Sequence, residues 1–250
     1  MRLQLTLEIK NGKALPLDYS KFVQAWIYKT ISQADLQFSK WLHDEGLKIT
    51  HKKFKFFTFG QIQTKTKAHL SRKLLEIESK EMQMTMSFLL PEAMKNFVKG
   101  LFAEQTGFWG DQFNGIDFQV KSVDILPEPN FVTTMTYDYR QPVVARYKNE
   151  EGKLKFAEPK NEEFIRQLKG NAQSKYEAFY GKVYKEEIAF KILKVYKRKE
   201  RRDGNDNVIA VGWTCEVEVT ASVEMQRVVY FGGIGVGNSL GCGFGKILKN

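Results

Sequence analysis

The chain opens on a strict alternation. Leu3, Leu5, Leu7 and Ile9 fall on one side, and Arg2, Gln4, Thr6, Glu8 and Lys10 on the other. A period of two is the mark of a half-buried strand. Asn11-Gly12 and then Pro16 end it. The period then lengthens: Phe22, Val23, Trp26, Ile27 and Ile31 recur at helical spacing and predict a helix over 18–32. Tyr28 lies nearly opposite the centre of that stripe. A short second helix is expected over 34–45, with Phe38, Trp41 and Leu42 on its apolar side, His43 pointing away and Gly46 as its stop. Strand-like runs follow at 54–59, 74–78 and 81–88. In the last, Met82, Met84, Met86 and Phe88 alternate with polar residues. Pro91 opens a helix running to about Ala103, and 113–126 reads as a strand broken at Gly115.

The order β, α, β, β, α, β is the ferredoxin-like plan. Pro127-Glu128-Pro129 interrupts the pattern and suggests a short linker. It divides the chain into domains at 1–127 and 130–250. The second half starts with a strand at 131–137, followed by a helix over 160–180 carrying Phe164, Ile165, Leu168, Ala172 and Tyr176. Strands follow at 187–196 and 208–220; in the latter Trp213, Cys215, Val217 and Val219 alternate with Thr214, Glu216, Glu218 and Thr220. A short helix fits 223–230, and a last strand 243–248. The expected fold is therefore α+β: two tandem ferredoxin-like (RRM-like) βαββαβ domains with a C-terminal glycine-rich loop. The duplication is read from element order, since no sequence repeat joins the halves.

Charge adds a partner to this picture. The 39 Lys and Arg exceed the 29 Asp and Glu, leaving +10, shared equally between the two halves of the 250 residues. No basic tail accounts for the excess, so the folded body is cationic, and nucleic acid is the simplest polyanion to match it. One cluster stands out: Lys191, Lys194, Lys197, Arg198, Lys199, Arg201 and Arg202, ending in Asp203-Gly204. It reads as a basic hairpin that grips RNA phosphates or enters a stem groove; the alternative is a solvated edge strand guarded by lysine. Most of Phe54, Phe56, Phe57 and Phe59 are expected in the core rather than stacking on bases. No apolar run approaches the roughly 20 residues of a membrane helix, and the alternating N-terminus has no signal-peptide core. Two cysteines (Cys215, Cys242) and three histidines make neither a disulfide scaffold nor a metal site. The expectation is a cytoplasmic protein with no metal and no cofactor.

Residues 232–245 read GGIGVGNSLGCGFG. A Walker loop fails here, because position 240 is Leu and 247 is Ile; a dinucleotide fingerprint fails because Asn238, Leu240 or Lys246 stands where the last glycine belongs. Dense glycine lets backbone amides turn towards an anion. Gly233, Gly235, Gly241 and Gly243, with Asn238, Ser239 and Lys246, are therefore candidate RNA contacts, the alternative being a tight turn before an edge strand.

The spacing that does fit is G-hydrophobic-G at 233–235, five residues, and G-hydrophobic-G at 241–243. With Asn238-Ser239-Leu240 leading into Gly241, it resembles the signature loop of the CRISPR-associated endoribonucleases that cut precursor CRISPR RNA inside its repeats, Cas protein family six. Strand 2–10, Pro16-Leu17-Asp18-Tyr19, Ala25-Trp26-Ile27-Tyr28, Phe38-Ser39-Lys40-Trp41-Leu42-His43 and Lys55-Phe56-Phe57-Thr58-Phe59 are similar to that family too. The resemblance implies metal-independent cleavage: the ribose 2′-OH attacks its own phosphate, giving a 2′,3′-cyclic phosphate and a 5′-OH. Such a reaction needs a base, an acid and a stabiliser of phosphorane charge. It implies His43 as general acid or base, Tyr28 as its assistant and Lys55 as the cation, with Lys48, Lys52 and Lys53 as alternatives for the last. Lys52 and Lys53 are otherwise RNA contacts. His51 is a weaker rival acid or base; His69, among Lys65, Lys67 and Arg72, looks more like part of an RNA-contacting loop. The implied partner is the CRISPR repeat RNA. Membership of a CRISPR effector complex and a homodimer are left open. The rival reading is a catalytically silent repeat-binding protein or a structural subunit.

Overall fold

The computed structural model describes residues 1–66, 68–71, 73–202 and 207–248. Among these lie five α-helices and many antiparallel strands, an α+β chain. Two compact units form: Met1–Glu45 with Gln61–Glu128, and Gly46–Gly60 with the chain from Pro129 onward. The segment 46–60, expected within the first half, thus packs with the second unit.

In the first unit, strand Arg2–Asn11 pairs on one side with Glu81–Phe88 and on the other with Gly115–Leu126, to which Thr106–Gly110 adds an edge. Leu3 faces Met86, Leu5 faces Met84 and Leu7 faces Met82 across the ladder. All six are buried, so the two alternations read from the sequence are in phase on one face. Helices α1 (Ser20–Ala34) and α3 (Pro91–Ala103) pack on each other. Their close approach needs Gly100, where a Cβ would sit 1.8 Å from the Thr30 carbonyl oxygen. Trp26 of α1 meets Phe97, Trp109 and Phe118 edge-on at ring distances of 5.3–5.6 Å.

The turn between α1 and α2 (Leu36–Asp44) is capped by Asp35, whose carboxylate accepts from the Phe38 amide at 2.8 Å. Gly46 follows α2 with φ +64°, the left-handed stop its position predicts. Strand Thr106–Gly110 is absent from the sequence reading, because only Trp109 of its five residues turns fully inward. The next strand begins at Gly115 rather than 113. Asp111 Oδ1 accepts from the amides of Phe113 and Asn114, both at 2.8 Å, and holds those residues in the turn.

The expected strand 54–59 is broken. Lys52–Phe54 pairs with Leu47–Ile49, and Phe57–Phe59 is a separate strand. Phe54, Phe56, Phe57 and Phe59 are all buried, which an unbroken period of two cannot achieve. Phe56 at φ +55° resets the alternation.

The second unit holds the sheet order Ala189–Arg202, Val208–Thr220, Thr134–Val143, Lys246–Ile247, with α4 (Glu162–Tyr180) and α5 (Val223–Gly232) as the connecting helices. The strand expected at 131–137 starts at Thr134 and runs to Val143, and the one expected to end at 196 reaches Arg202. Its Lys-Arg end has no apolar alternation to read, yet pairs with 208–214. The last strand shrinks to Lys246–Ile247. The hairpin Arg146–Lys148 with Leu154–Phe156 carries too few apolar residues to signal itself. Gln226 of α5 accepts from the Tyr137 hydroxyl at 2.7 Å and donates to the carbonyls of Thr133 and Val219 at 3.0 and 2.8 Å. This buried amide ties the helix to two strands. Among the described residues no helix is long and apolar enough to cross a membrane.

Candidate functional site

In the first unit, Ser39 on α2 donates to the Tyr28 carbonyl on α1 at 2.9 Å. That bond sets the pitch of the short helix on the longer one. Tyr28 and His43, fifteen positions apart, then meet edge-to-face with ring centres 4.9 Å apart and planes at 77°. His43 sits in the last turn of α2 with its side chain 65% exposed, and its Nδ1 lies 2.8 Å from Asp44 Oδ1. With the proton on Nδ1 donated to Asp44, the Nε2 lone pair is the basic one. Burial, and then the Asp44 charge, push the Tyr28 phenol above its ordinary range, so at neutral pH it stays a protonated donor. The arrangement combines an exposed imidazole with a hydroxyl that keeps its proton.

The second unit carries a cleft of about 760 Å³. Its walls come from 51–56, from the 144–148 segment, from α4 and from the glycine-rich loop. Lys52, Lys53, Lys55, Arg146, Lys148 and Arg166 line it, together with His51. The lining carboxylate Glu163 is occupied by Arg166 and by Gln167 Nε2 at 2.7 Å. Lys52 Nζ donates to Ser174 Oγ at 2.8 Å. The cleft is therefore strongly cationic, suited to a polyanion backbone.

The glycine-rich loop is built differently from the expected amide cradle. Gly233, Gly235, Gly237, Gly241 and Gly243 all have positive φ. At Gly243 a Cβ would lie 2.0 Å from the Ile234 carbonyl oxygen. The amides of Gly233, Ile234, Val236, Leu240, Gly241, Cys242 and Gly243 are spent on backbone carbonyls at 2.8–3.3 Å. The loop instead turns carbonyls inward. Lys175 Nζ of α4 donates to Gly233 O at 2.7 Å, Gly235 O at 3.0 Å and Asn238 Oδ1 at 2.7 Å. Asn238 Nδ2 donates to the carbonyls of Ile234 and Cys242 at 3.1 and 3.0 Å. Asn238, a candidate RNA contact, also braces the loop from within, and Gly233, Gly241 and Gly243 serve its backbone shape. Gly235, Asn238 and Ser239 remain on the cleft wall.

The basic strand sorts by side. Arg198 and Arg202 both close on Glu200 at 2.5 Å. Lys191 stands 3.9 Å from Glu218, and the Lys194 ammonium 5.2 Å from the Tyr196 ring centre. Lys197 is exposed. Arg201 turns inward: its Nη2 donates to the Leu240 carbonyl at 3.4 Å and to Gln141 Oε1 at 3.5 Å, so it supports the turn after Asn238 rather than reaching into solvent. Lys199 donates to the Arg140 carbonyl at 3.1 Å. Burial, and then Arg201 and Lys197, bring its ammonium down to about 8. Lys246 is exposed and pairs its strand to Asp138. His69 is exposed on the strand His69–Ser71; Lys67, Arg72 and the Asp203-Gly204 turn lie outside the described residues.

Sequence reasoning singled out neither Lys175 nor the wall cations Arg146, Lys148 and Arg166. The first sits on the buried side of a helix, and the others are scattered among ordinary surface charges. Among the described residues no group of three or more His, Cys, Asp or Glu side chains is placed to hold a metal.

Comparison with known proteins agrees over nearly the whole chain. The family model for the N-terminal part of CRISPR-associated protein Cas6 matches residues 14–124, and that for its C-terminal part matches 126–247. The chain belongs to the Cas6 family of CRISPR-associated endoribonucleases. It is 29% identical to CRISPR-associated endoribonuclease Cas6 1 of Methanocaldococcus jannaschii, over 97% of this chain and 91% of that one. It is 23% identical to the Cas6 endoribonuclease of Pyrococcus furiosus, over 94% and 84%. A solved CRISPR-associated Cas6 structure superposes with a TM-score of 0.79 at 27% identity, covering 100% of this chain and 99% of that one. A structure described as a RAMP protein binding different RNA substrates shares the fold, with a TM-score of 0.83 at 21% identity and full coverage of both chains.

Proposed function

We propose that this protein is a metal-independent endoribonuclease that cuts precursor CRISPR RNA within its repeat. The observation that carries the reading is the Tyr28–His43 pair, held by Ser39 and oriented by Asp44. His43 Nε2 takes the proton of the ribose 2′-OH, whose oxygen attacks the adjoining phosphate; the P–O5′ bond breaks and the 5′-oxygen takes a proton from water, giving a 2′,3′-cyclic phosphate and a 5′-OH. Tyr28, kept protonated, donates a hydrogen bond to the reacting phosphate and lowers its developing charge. Lys55 is assigned the electrostatic role at the phosphorane by its place in the sequence pattern. The RNA partner is also supported by the cationic cleft of the second unit, where Lys52, Lys53, Arg146 and Lys148 meet the phosphate backbone. Lys191, Lys194 and Lys197 extend that contact along the basic strand, and Lys246 offers a further cation on the strand at the opposite edge of the same sheet. The second unit runs strand, helix, two strands, helix, strand in the order 189–202, 208–220, 134–143, 246–247. This supports a ferredoxin-like reading of it, and a cytoplasmic site of action follows from the substrate.

The test is single-turnover cleavage of end-labelled repeat RNA in excess EDTA, beside the same RNA carrying one 2′-deoxy at the cut site. Cleavage of the first alone, leaving a cyclic phosphate, is the expected outcome. Binding without cleavage would turn the assignment to a silent repeat-binding protein.

A further inference from the structure

The basic strand Ala189–Arg202 gathers five of its cations on one face. Breaks in register between Ile192 and Lys194 and between Val195 and Lys197 each leave one residue out of the ladder. Lys191, Lys194, Lys197, Lys199 and Arg201 thereby fall opposite Glu218, Glu216, Thr214, Gly212 and Ala210, and residues directly opposite share a face. The opposing charge fades along the strand. At one end Lys191 stands 3.9 Å from Glu218; at the other, Lys199 and Arg201 face only glycine and alanine. Glu200 pairs with Val211 on the alternate face and is held there by Arg198 and Arg202. Among the described residues, the hydrogen bonds of Lys199 and Arg201 go to neutral oxygens, not to a carboxylate.

Gly212 lets another segment close on this end of the strand. A Cβ there would lie 2.7 Å from the Val143 carbonyl oxygen. Lys199 gives one of its three N–H bonds to the Arg140 carbonyl at 3.1 Å. Arg201 Nη2 reaches the Leu240 carbonyl at 3.4 Å and Gln141 Oε1 at 3.5 Å, the long end for a hydrogen bond. Gln141 is 4% exposed, yet its Nε2 has no hydrogen-bond partner among the described residues, and neither has Arg201 Nε. Buried donors are ordinarily satisfied. The Cys242 thiol adjoins both cations, but burial pushes it up by more than Arg201 and Lys199 bring it down. It stays neutral and does not balance them.

We infer that Lys199, Arg201 and Gln141 form a phosphate site at the end of the basic strand, which takes one backbone phosphate of bound RNA. The inference rests on the reading that this protein binds repeat RNA, and it adds a built subsite to the exposed lysines of that strand. Lys199 brings charge and its two remaining N–H bonds. Arg201 exchanges its two long bonds for charge-assisted bonds to phosphate oxygens. That rotation turns its Nε to the anion, and the Gln141 amide donates beside it. Gly212 and Ala210 keep the opposing position free of the carboxylates that stand at 216 and 218 and would repel a phosphate.

The experiment is phosphate interference with the full chain. Repeat RNAs carry one uncharged 2′-O-methyl methylphosphonate linkage at each position in turn, beside matched RNAs with a 2′-O-methyl phosphate. At one linkage the uncharged group is expected to weaken wild-type binding by about tenfold. Lys199→Gln should bind that RNA and its matched control within about twofold of each other. Gln141→Leu, which removes the amide donor and no charge, should lower the penalty at the same linkage to about threefold. A merely structural role would weaken binding to every RNA alike and leave the interference pattern unchanged. That pattern in a folded variant overturns the proposal, and Gln141→Leu decides it where Lys199→Gln does not fold. Inorganic phosphate, titrated in parallel by phosphorus NMR, separates the two sources of the anion. Lys199-dependent phosphate binding by a protein that binds no repeat RNA removes the RNA reading and leaves the site standing; binding of neither overturns both.

Discussion

The Tyr28–His43 pair of the first unit and the Lys175 cage of the second are built on opposite principles. The pair stands at the end of a two-turn helix, with the imidazole largely in solvent and its orientation set by a neighbour one residue away. The cage is buried, and its parts come from α4 and from the loop some sixty positions later. A group that exchanges protons with a substrate must be reachable. A group that organises a surface works best where water cannot screen it. The first kind of site is held by few bonds and tolerates change around it. The second is woven into the chain, and changing it alters the surface above.

The largest expected effect breaks the first side of the comparison. His43→Ala should slow single-turnover cleavage by about 10²–10⁴-fold while repeat-RNA affinity stays within about twofold, since the side chain is largely exposed. Filter binding beside the rate measurement decides it, and a parallel loss of affinity would make His43 a binding group. Next, Arg146→Gln with Lys148→Gln should leave the chemical step alone. It should weaken binding at physiological salt by about tenfold and reduce the slope of log affinity against log salt by up to about 1.4–1.8; an unchanged slope would remove the hairpin from the RNA interface. Tyr28→Phe should cost about tenfold in rate, the worth of one hydrogen bond of about 1.4 kcal/mol, with no change in the salt slope. The smallest effect sharpens the second side. Arg198→Gln, which loses an exposed guanidinium paired with the half-buried Glu200, should shift stability by less than about 0.5 kcal/mol. Arg201→Gln removes a support of the Leu240 carbonyl and should lower the melting midpoint by several degrees. Equal midpoints would show that Arg201 does not hold the loop.

The same contrast explains what could be read in advance. Local periodicity marks Tyr28 and His43 only as lying off the apolar stripe of each helix; it was the resemblance to the family that singled them out as a candidate pair. Strand 2–11, strand 81–88 and helix 91–103 were legible because burial on one face imposes a period. Thr106–Gly110 and the 146–156 hairpin were not, because short strands with few inward residues carry no period. Phe54–Phe59 misled the reading because its aromatic density mimics one continuous strand. A left-handed Phe56 was needed to bury all four rings.

By itself the sequence determined the α+β class, the cationic body, the short helix that carries His43 and the density of glycine near the C-terminus. All of these follow from local periodicity, composition and backbone freedom. Only the tertiary structure decided what the glycines are for. The amides of Gly233, Gly241 and Gly243 are consumed by the carbonyls of Val229, Asn238 and Pro142, and the carbonyls of Gly233 and Gly235 converge on an ammonium from α4. A backbone polar group has no fixed partner until the chain has folded around it. The direction of a loop's dipoles, towards an external anion or an internal cation, is therefore a property of the packed molecule.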